Sequence, residues 1–333
     1  MGTRRQFHLQ ALTLSAASLG FPTLTRAQAS NFPSRPMKVI VPYAAGGGPD
    51  VMTRKMAIKL AEAFDKQATV VVDNIVGAGG MLAAQSVARM VPDGYSMMTA
   101  SSSQVLQKAM QPNVKYDPVK DFVHVTRTDF SPAMLVVNAG SPYQSIQALV
   151  AAAKSEPGKL NYASGGIGSL AHLCSAAMTR EAGVDVVHIP YKGSVEIIPS
   201  ILSNATQFAC PIASTAIPQI KTGKVRALAV TSAERMTAFP DVPTLAEIFK
   251  TQDLALVAWQ GIWVPVGTPP DVVDILFQAV VKTYNEPGVR ADAQAFGSTV
   301  STSESPAAFT RFVQAEAGKL DKLVTALGLR VGS

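Results

Sequence analysis

Cysteine, tryptophan and charge are all scarce in this sequence. The 333 residues include two cysteines, two tryptophans and 16% charged residues. Two cysteines exclude a disulfide framework. Cys174 and Cys210 could form one bridge, but we favour two small buried side chains. The sequence also offers no electrostatic footprint for nucleic acid, because the chain carries 26 basic and 23 acidic residues once Arg4, Arg5 and Arg26 are set aside.

A long apolar run is missing as well. No segment after residue 29 offers the ~20 uncharged apolar residues that a membrane-spanning helix needs. Residues 1–29 have a basic start, an apolar stretch of about 9–24 and the small-residue exit "AQA". This pattern is typical of a secretory signal cleaved after Ala29. The string "TRRQF" leaves both the general and the twin-arginine export routes open.

The motifs of metal, nucleotide and serine chemistry are absent too. After residue 29 the histidines are His124, His172 and His188, with no i, i+4 pair, so we expect no metal site. The stretch "VIVPYAAGGGPD" lacks the Gly-Lys-Ser/Thr of a phosphate loop and the third glycine of a dinucleotide fingerprint. Ser169 in "GIGSLAH" is not in a nucleophile elbow. We therefore predict neither a cofactor nor catalysis.

What the sequence does contain is a regular alternation of strand-length apolar runs and helix-length amphipathic segments. This pattern predicts an α/β fold with mostly parallel sheets covered by helices. The predicted strands are 37–41, 69–72, 95–100, 134–138, 160–163, 184–189, 227–231 and 256–264. A stripe of Met52, Met56, Leu60 and Phe64 predicts a helix after Asp50, and further helices are predicted over 270–285 and 306–327.

About 300 residues are many for one core, so we predict two lobes. The chain would cross between them near residues 130–132 and return near 254–259. The predicted division is 1–29 signal, 30–131 first lobe, 132–255 second lobe and 256–333 first lobe again. A ligand cleft is expected between the lobes, at the carboxyl ends of the strands.

Three glycine-rich turns follow predicted strands and open helices: "YAAGGGPD", "VGAGGMLAAQ" and "SGGIGSLAHL". Each could present backbone N–H groups at a helix N-terminus, which suits a small carboxylate. Glycine could equally serve only to make the turns tight. Asp50 is interpreted as a helix N-cap.

Side chains near these turns extend the candidate site. Ser102 and Ser103 follow the third strand and could donate hydroxyl groups or cap the next helix. His172 could contact a ligand or satisfy a helix start. Lys192 is usually a solvated charge and only occasionally a carboxylate anchor. Trp259 and Trp263 could wall the ligand, although a core position is commoner for tryptophan.

Seven strings occur together in order: "IVPYAAGGGPD", "GAGGMLAAQSVARMVPDGY", "YDPVKDF", "PGKLNYAS", "HIPYKGS", "IKTGKVRALAVTSAERMTAFPDVPTLAE" and "VPVGTPPDVV". As an ordered set they resemble the substrate-binding proteins of tripartite tricarboxylate transporters, the Bug or TctC family. The resemblance spans essentially the whole chain after the signal. It implies a two-lobed periplasmic binding protein-like fold that acts as a receptor in the periplasm, as a monomer, and delivers a small carboxylate to membrane permease subunits.

The resemblance also implies which residues meet the ligand. It places Tyr43, Ala44 and Gly48 at the ligand, with Ser102 and Ser103 beside them. Facing them from the second lobe would be Gly166, Gly168 and Ser169.

One departure from the family pattern concerns the ligand itself. Pro211 stands where many relatives carry an acidic residue that meets a ligand ammonium. We therefore expect a carboxylate without an amino group, with aromatic dicarboxylates such as terephthalate or aliphatic di- and tricarboxylates as candidates. Two alternatives stay open: an enzyme on the same fold, and a ligand-loaded partner of a membrane sensor.

Overall fold

The computed structural model describes residues 32–64 and 68–331. The predicted signal, with its cleavage after Ala29, lies outside the described residues. Eleven strands are found in the described part: β1 Met37–Val41, β2 Val70–Asn74, β3 Ser96–Ser101, β4 Phe122–Pro132, β5 Met134–Asn138, β6 Asn161–Ser164, β7 Val187–Pro190, β8 Phe208–Ala209, β9 Val225–Val230, β10 Val257–Pro265 and β11 Thr299–Val300.

Helices connect these strands. The α-helices of the described residues are α1 Gly48–Ala63, α2 Met81–Val87, α3 Ser102–Met110, α4 Ile146–Ser155, α5 Leu170–Ala182, α6 Ile197–Leu202, α7 Ala213–Lys221, α8 Leu245–Phe249, α9 Pro270–Asn285, α10 Pro287–Ala295 and α11 Pro306–Ala326. Single 3₁₀ turns occur at Ala78–Gly80, Ser194–Glu196 and Gln252–Leu254.

The strands form two sheets, each flanked by helices. The first sheet has the order β11-β4-β10-β3-β1-β2, and the second has the order β7-β6-β8-β5-β9. Both belong to one compact unit. The predicted α/β class with two lobes is confirmed. The exact lobe boundaries at 131/132 and 255/256 stay predictions.

The predicted direction of the strands needs correction. Four of the nine strand pairings in the described residues are parallel, so the sheets are mixed rather than mostly parallel. The reason is the long pair β4 and β10, which run in opposite directions through the middle of the first sheet. In the second sheet β5 runs antiparallel to both β8 and β9.

Strand β4 was missed because its sequence "FVHVTRTDFSP" looks polar. Its polar side chains are nevertheless buried, because helices α9 and α11 pack against the strand. Internal hydrogen bonds compensate for this burial: His124 Nε2 lies 2.9 Å from the Pro118 carbonyl, and Thr126 Oγ1 donates to the Arg127 carbonyl at 2.9 Å. Strands β8 and β11 have two residues each, too few to show a period.

Other predicted elements agree closely with the structure. Strand β5 and helix α9 have the predicted bounds, and α11 ends one residue early. In α1, Met56 and Leu60 are buried as the apolar stripe requires. Trp259 and Trp263 are 1% and 0% exposed and belong to the hydrophobic core. Cys174 and Cys210 are buried free thiols, so they do not form a bridge.

Gly261 on β10 is tightly packed against helix α11 and strand β4. A Cβ built there would lie 2.6 Å from Phe309 Cε1 and 2.8 Å from the Thr126 carbonyl oxygen. Contacts this short force rearrangement of the core. We therefore expect Gly261→Ala to lower the free energy of unfolding by about 1–3 kcal/mol in urea titrations.

Gly318 on α11 provides the matched control. It is exposed, and a Cβ there meets nothing within 4 Å. Gly318→Ala should raise the unfolding free energy by about 0.5–1 kcal/mol, because alanine favours helix. Equal effects of the two substitutions would contradict the packing argument at Gly261.

Candidate ligand-binding cleft

A cavity of about 170 Å³ lies between the two sheets. From the first lobe it is lined by Tyr43, Ala44, Ser101, Ser103 and the turn that contains Gly77, Gly79 and Gly80. From the second lobe it is lined by Ser169 at the start of α5, by residues of the loop after β7, and by Pro211 and Ile212. The floor consists of Ser131 on β4 with Ala258 and Gln260 on β10.

A buried carboxylate paired with a half-exposed arginine holds the first glycine turn in place. Asp50 is 2% exposed, and its carboxylate accepts hydrogen bonds from Arg54 Nε at 3.0 Å, Asn74 Nδ2 at 2.8 Å and the Gly46 N–H at 2.9 Å. Burial alone would raise the pKa of Asp50, but these hydrogen bonds and the Arg54 charge outweigh it, and the pKa is lowered. Asp50 therefore remains an anion inside the turn.

This arrangement corrects the interpretation of Asp50 as an N-cap. The cap residue of α1 is Gly47, and Asp50 is the third residue of the helix. Its carboxylate already takes the Gly46 N–H, and the Gly47 N–H donates to the Ala44 carbonyl at 3.3 Å. Two of the backbone donors that the sequence suggested for a ligand are thus used within the turn.

Hydroxyl groups line the first lobe next to this turn. The hydroxyls of Tyr43 and Ser101 are 2.8 Å apart. Ser101 also caps α3, accepting the Ser103 N–H at 3.1 Å, and Gln104 Oε1 accepts the Ser101 N–H at 2.7 Å. Ser102 is the first residue of α3 and does not line the cavity. Of the three adjacent serines, the predicted pair was Ser102 and Ser103, whereas the cavity is lined by Ser101 and Ser103.

The second lobe presents the start of α5. Ser169 is the N-cap: its Oγ accepts the His172 N–H at 3.3 Å and donates to the Gly166 carbonyl at 2.8 Å. Gly166 and Gly168 have φ values of +113° and +80°, so these two positions favour glycine for the turn itself. Neither lines the cavity.

Glycines from both lobes instead bring the lobes together. A Cβ built at Gly48 would lie 2.5 Å from Ser214 Oγ on α7, in the opposite lobe. A Cβ at Gly168 would lie 2.5 Å from Gln107 Cγ on α3, again across the cleft. Both glycines therefore permit close contact between the lobes beside the cavity.

His172 lies in the wall behind the cavity, stacked on His188. The ring centroids are 4.1 Å apart with an interplanar angle of 6°, and the Tyr162 ring is stacked near both, 4.7 Å from His188 and 6.4 Å from His172. Burial, with repulsion from His188 as a second cause, lowers the pKa of His172 to about 3. Burial lowers the pKa of His188 to about 4. Both rings are therefore neutral at pH 7.

A carboxyl group lies beneath the cavity floor. Asp129 on β4 is 6% exposed; its Oδ2 accepts the Thr128 hydroxyl at 2.8 Å and its Oδ1 accepts Gln260 Nε2 at 3.3 Å. Burial raises the pKa of Asp129 to about 6, although hydrogen bonds from Thr128, Ser298 and Gln260 act against the shift. Asp129 thereby fixes the amide of Gln260, which faces the cavity.

The structure brings together half of the predicted site residues. Tyr43, Ala44, Ser103, Ser169 and Pro211 line the cavity, whereas Gly48, Ser102, Gly166, Gly168 and His172 lie outside its lining. A role in ligand binding stays a prediction for all ten.

Six polar residues that line the cavity were not among the predicted site residues, and two of them are Ser101 and Ser194. Ser131 and Gln260 come from strands whose approach only the tertiary fold produces. Lys192 and Glu196 come from the loop after β7. The sequence indicated Lys192 as an occasional carboxylate anchor, whereas nothing in it indicated that Glu196 lies at the cleft.

Among the described residues, no group of three or more His, Cys, Asp or Glu side chains could hold a metal ion. Within residues 32–64 and 68–331, no helix combines the length and apolarity needed to cross a membrane.

Two mixed sheets that close on a small cavity define a two-lobed solute-binding protein. The model of the tripartite tricarboxylate transporter receptor family, TctC, matches residues 52–329, and the chain belongs to this family. The predicted family is thus confirmed.

Relatives agree with this assignment. A UPF0065 protein from the tcbD-tcbE intergenic region of Pseudomonas sp. strain P51 is 35% identical, covering 87% of this chain and 84% of the relative. MatC from Rhodopseudomonas palustris with bound malate is 28% identical, with a TM-score of 0.82 and coverage of 88% of this chain and 100% of that one. R. palustris Rpa4515 with adipate is 27% identical, with a TM-score of 0.84 and coverage of 89% and 98%.

The stacked histidines generate a pH prediction. Their pKa values are lower in the folded protein than the usual 6.5, so their contribution to stability is complete above pH 6.5 and is lost as the pH falls towards about 4. Each histidine adds a slope of up to about 1.4 kcal/mol per pH unit in that window. The free energy of unfolding, measured by urea titration between pH 4.5 and 7.5, should depend less steeply on pH for His172→Phe than for the unaltered protein. Identical slopes would mean that the pKa of His172 is not lowered in the folded state.

Proposed function

We propose that this protein is a periplasmic receptor that captures a small carboxylate without an amino group. It acts as a monomer, passes the ligand to the membrane permease subunits of a tripartite tricarboxylate transporter, and does not act as an enzyme. The observation that carries the proposal is the cavity enclosed between two lobes, where hydroxyls from both sides meet a mostly apolar lining. The family assignment supports it.

The second-lobe wall supports a ligand without an ammonium. Pro211 has neither charge nor N–H to offer, its carbonyl accepts the Met134 N–H at 2.9 Å, and Ile212 lies beside it. An ammonium at this wall would lose its hydration without gaining a partner. The relatives whose structures contain malate and adipate hold ligands of the proposed class. Terephthalate, a flat apolar ring with a carboxylate at each end, is our leading candidate.

The arrangement of nucleophiles argues against the enzyme alternative. Ser164 Oγ and His188 Nε2 are 2.7 Å apart, but Ser164 is fully buried and is not part of the cavity lining. Its hydroxyl is further engaged by the Gly166 N–H at 3.1 Å. Ser169 is engaged as a helix cap. Nucleophilic catalysis requires a hydroxyl that reaches the substrate and a base beside it.

One cavity residue favours a second candidate, an amino acid ligand. Glu196 lines the cavity and could meet an ammonium, although its Oε2 already accepts the Lys192 N–H at 2.8 Å. A ligand panel separates the two candidates.

Thermal unfolding with terephthalate, benzoate, adipate, malate, succinate, citrate and glutamate tests the ligand class. A ligand at about a hundred times its dissociation constant stabilises the protein by roughly 2.7 kcal/mol. We expect terephthalate or an aliphatic di- or tricarboxylate to raise the melting temperature, and the recovered ligand to be chemically unchanged.

Two outcomes would contradict the proposal in different ways. If glutamate alone stabilised the protein, and Glu196→Gln abolished that effect, the ligand would be an amino acid held through its ammonium group by Glu196. Stoichiometric conversion of a stabilising acid into product would replace the receptor by an enzyme.

Closure provides an independent prediction. Gly48→Ala places a Cβ against Ser214, so it should raise the free energy of the closed form and weaken binding of the best acid in the panel by about tenfold or more. Ser214→Gly in the same chain removes the obstructing Oγ and Cβ and should recover part of the affinity. Isothermal titration of the wild-type protein, both single variants and the double variant measures this coupling. If the double variant bound the acid as weakly as Gly48→Ala does, the loss of affinity would come from a distorted turn and not from hindered closure.

A further inference from the structure

Charge is nearly absent from the cavity wall. Among the described side chains that line the cavity, two are charged, Lys192 and Glu196, and both belong to the loop after β7. The remaining polar groups are neutral hydroxyls and the Gln260 amide. Neutral donors can hold one carboxylate, but a second negative charge in a mostly apolar cavity requires a cation or water.

The loop that carries Lys192 is fixed between the lobes. Glu196 Oε2 accepts the Lys192 N–H at 2.8 Å and closes the loop around the 3₁₀ turn Ser194–Glu196. Behind the loop, a Cβ at Gly165 would lie 3.1 Å from the Ser194 nitrogen. In front of it, Val195 Cγ1 would be 3.6 Å from a Cβ at Gly47 in the opposite lobe. The backbone at Lys192 is therefore packed in place at the cavity mouth.

The two charges of this loop are not equally available. Glu196 uses one carboxylate oxygen to hold the Lys192 N–H. Lys192 is exposed, and its ammonium makes no ion pair within residues 32–64 and 68–331. A lysine at the mouth can meet a negative charge that stays in contact with water, which avoids the cost of burying a second carboxylate.

We propose that Lys192 determines the ligand class by meeting the distal carboxylate of a dicarboxylate at the cavity mouth. The proximal carboxylate then lies deeper, among the hydroxyls of Tyr43, Ser101 and Ser103. The receptor consequently favours dianions over monoanions of the same shape. This inference rests on the proposed carboxylate-receptor function and specifies its ligand.

Two pairs of acids with matched shapes test it: terephthalate with 4-methylbenzoate, and adipate with hexanoate. Dissociation constants are measured by titration calorimetry for the wild-type protein, Lys192→Gln and Lys192→Arg. In whichever pair the wild-type protein binds, Lys192→Gln should raise the dissociation constant of the dianion at least about fivefold. The dissociation constant of the matching monoanion should change less than twofold. Lys192→Arg should retain most of the preference, because it keeps the positive charge.

Lys154→Gln on α4 is the control for net charge. It removes the same charge from an exposed helix position outside the cavity and should leave every dissociation constant unchanged. Raising the salt concentration from 20 to 500 mM should reduce the dianion preference of the wild-type protein and have a smaller effect on Lys192→Gln, because exposed charges are screened.

The outcomes separate this inference from the function on which it rests. If wild-type protein binds a dicarboxylate and Lys192→Gln weakens both members of the pair equally, or neither, Lys192 does not select the ligand and the receptor function stands. If the wild-type protein binds none of the four acids, and none of the acids in the thermal panel, the proposed function and this inference both fail.

Discussion

The pairing of β4 with β10 is the constraint on which the cleft depends. The two strands remain paired from Val257 opposite Pro132 to Pro265 opposite Phe122. The chain passes from the first sheet to the second at Ala133, where β4 ends and β5 begins. Because Ser131, Ala258 and Gln260 lie at this end of the pair, the strands that join the sheets also supply the cavity floor.

The glycine-rich turns have two physical roles that the sequence does not distinguish. The turn at Gly77, Gly79 and Gly80 lines the cavity, and the missing side chains leave room for neighbours in the same lobe, namely Leu82, Gln107 and Gln104. At Gly48 and Gly168 the missing side chain leaves room for the opposite lobe. The first turn is further stabilised by Asp50, whose buried carboxylate occupies a backbone donor inside the turn. One backbone N–H of this turn therefore binds the protein's own Asp50 carboxylate and not a ligand.

Many polar groups of the cavity lining already form hydrogen bonds within the protein, and this limits which groups can bind a ligand. Ser101 and Ser169 cap helices, Asp129 holds the Gln260 amide, and Glu196 holds its own loop. These hydrogen bonds fix the orientation of the lining and leave few groups for a ligand. A site of this kind recognises shape together with a small number of charges, which is consistent with a receptor family whose relatives hold different carboxylic acids.

The sequence by itself determined the family, the α/β class, most strands and the long C-terminal helices, because apolar periodicity and ordered motifs are local properties. It also indicated five residues that line the cavity: Tyr43, Ala44, Ser103, Ser169 and Pro211. It did not reveal β4, whose polar side chains are buried by α9 and α11, nor the antiparallel direction of the β4–β10 pair. The tertiary structure alone decided that Gly48 meets Ser214, that His172 stacks on His188, and that Lys192 reaches the cleft. Each of these depends on contacts between segments distant in the chain, and such contacts leave no period in the sequence.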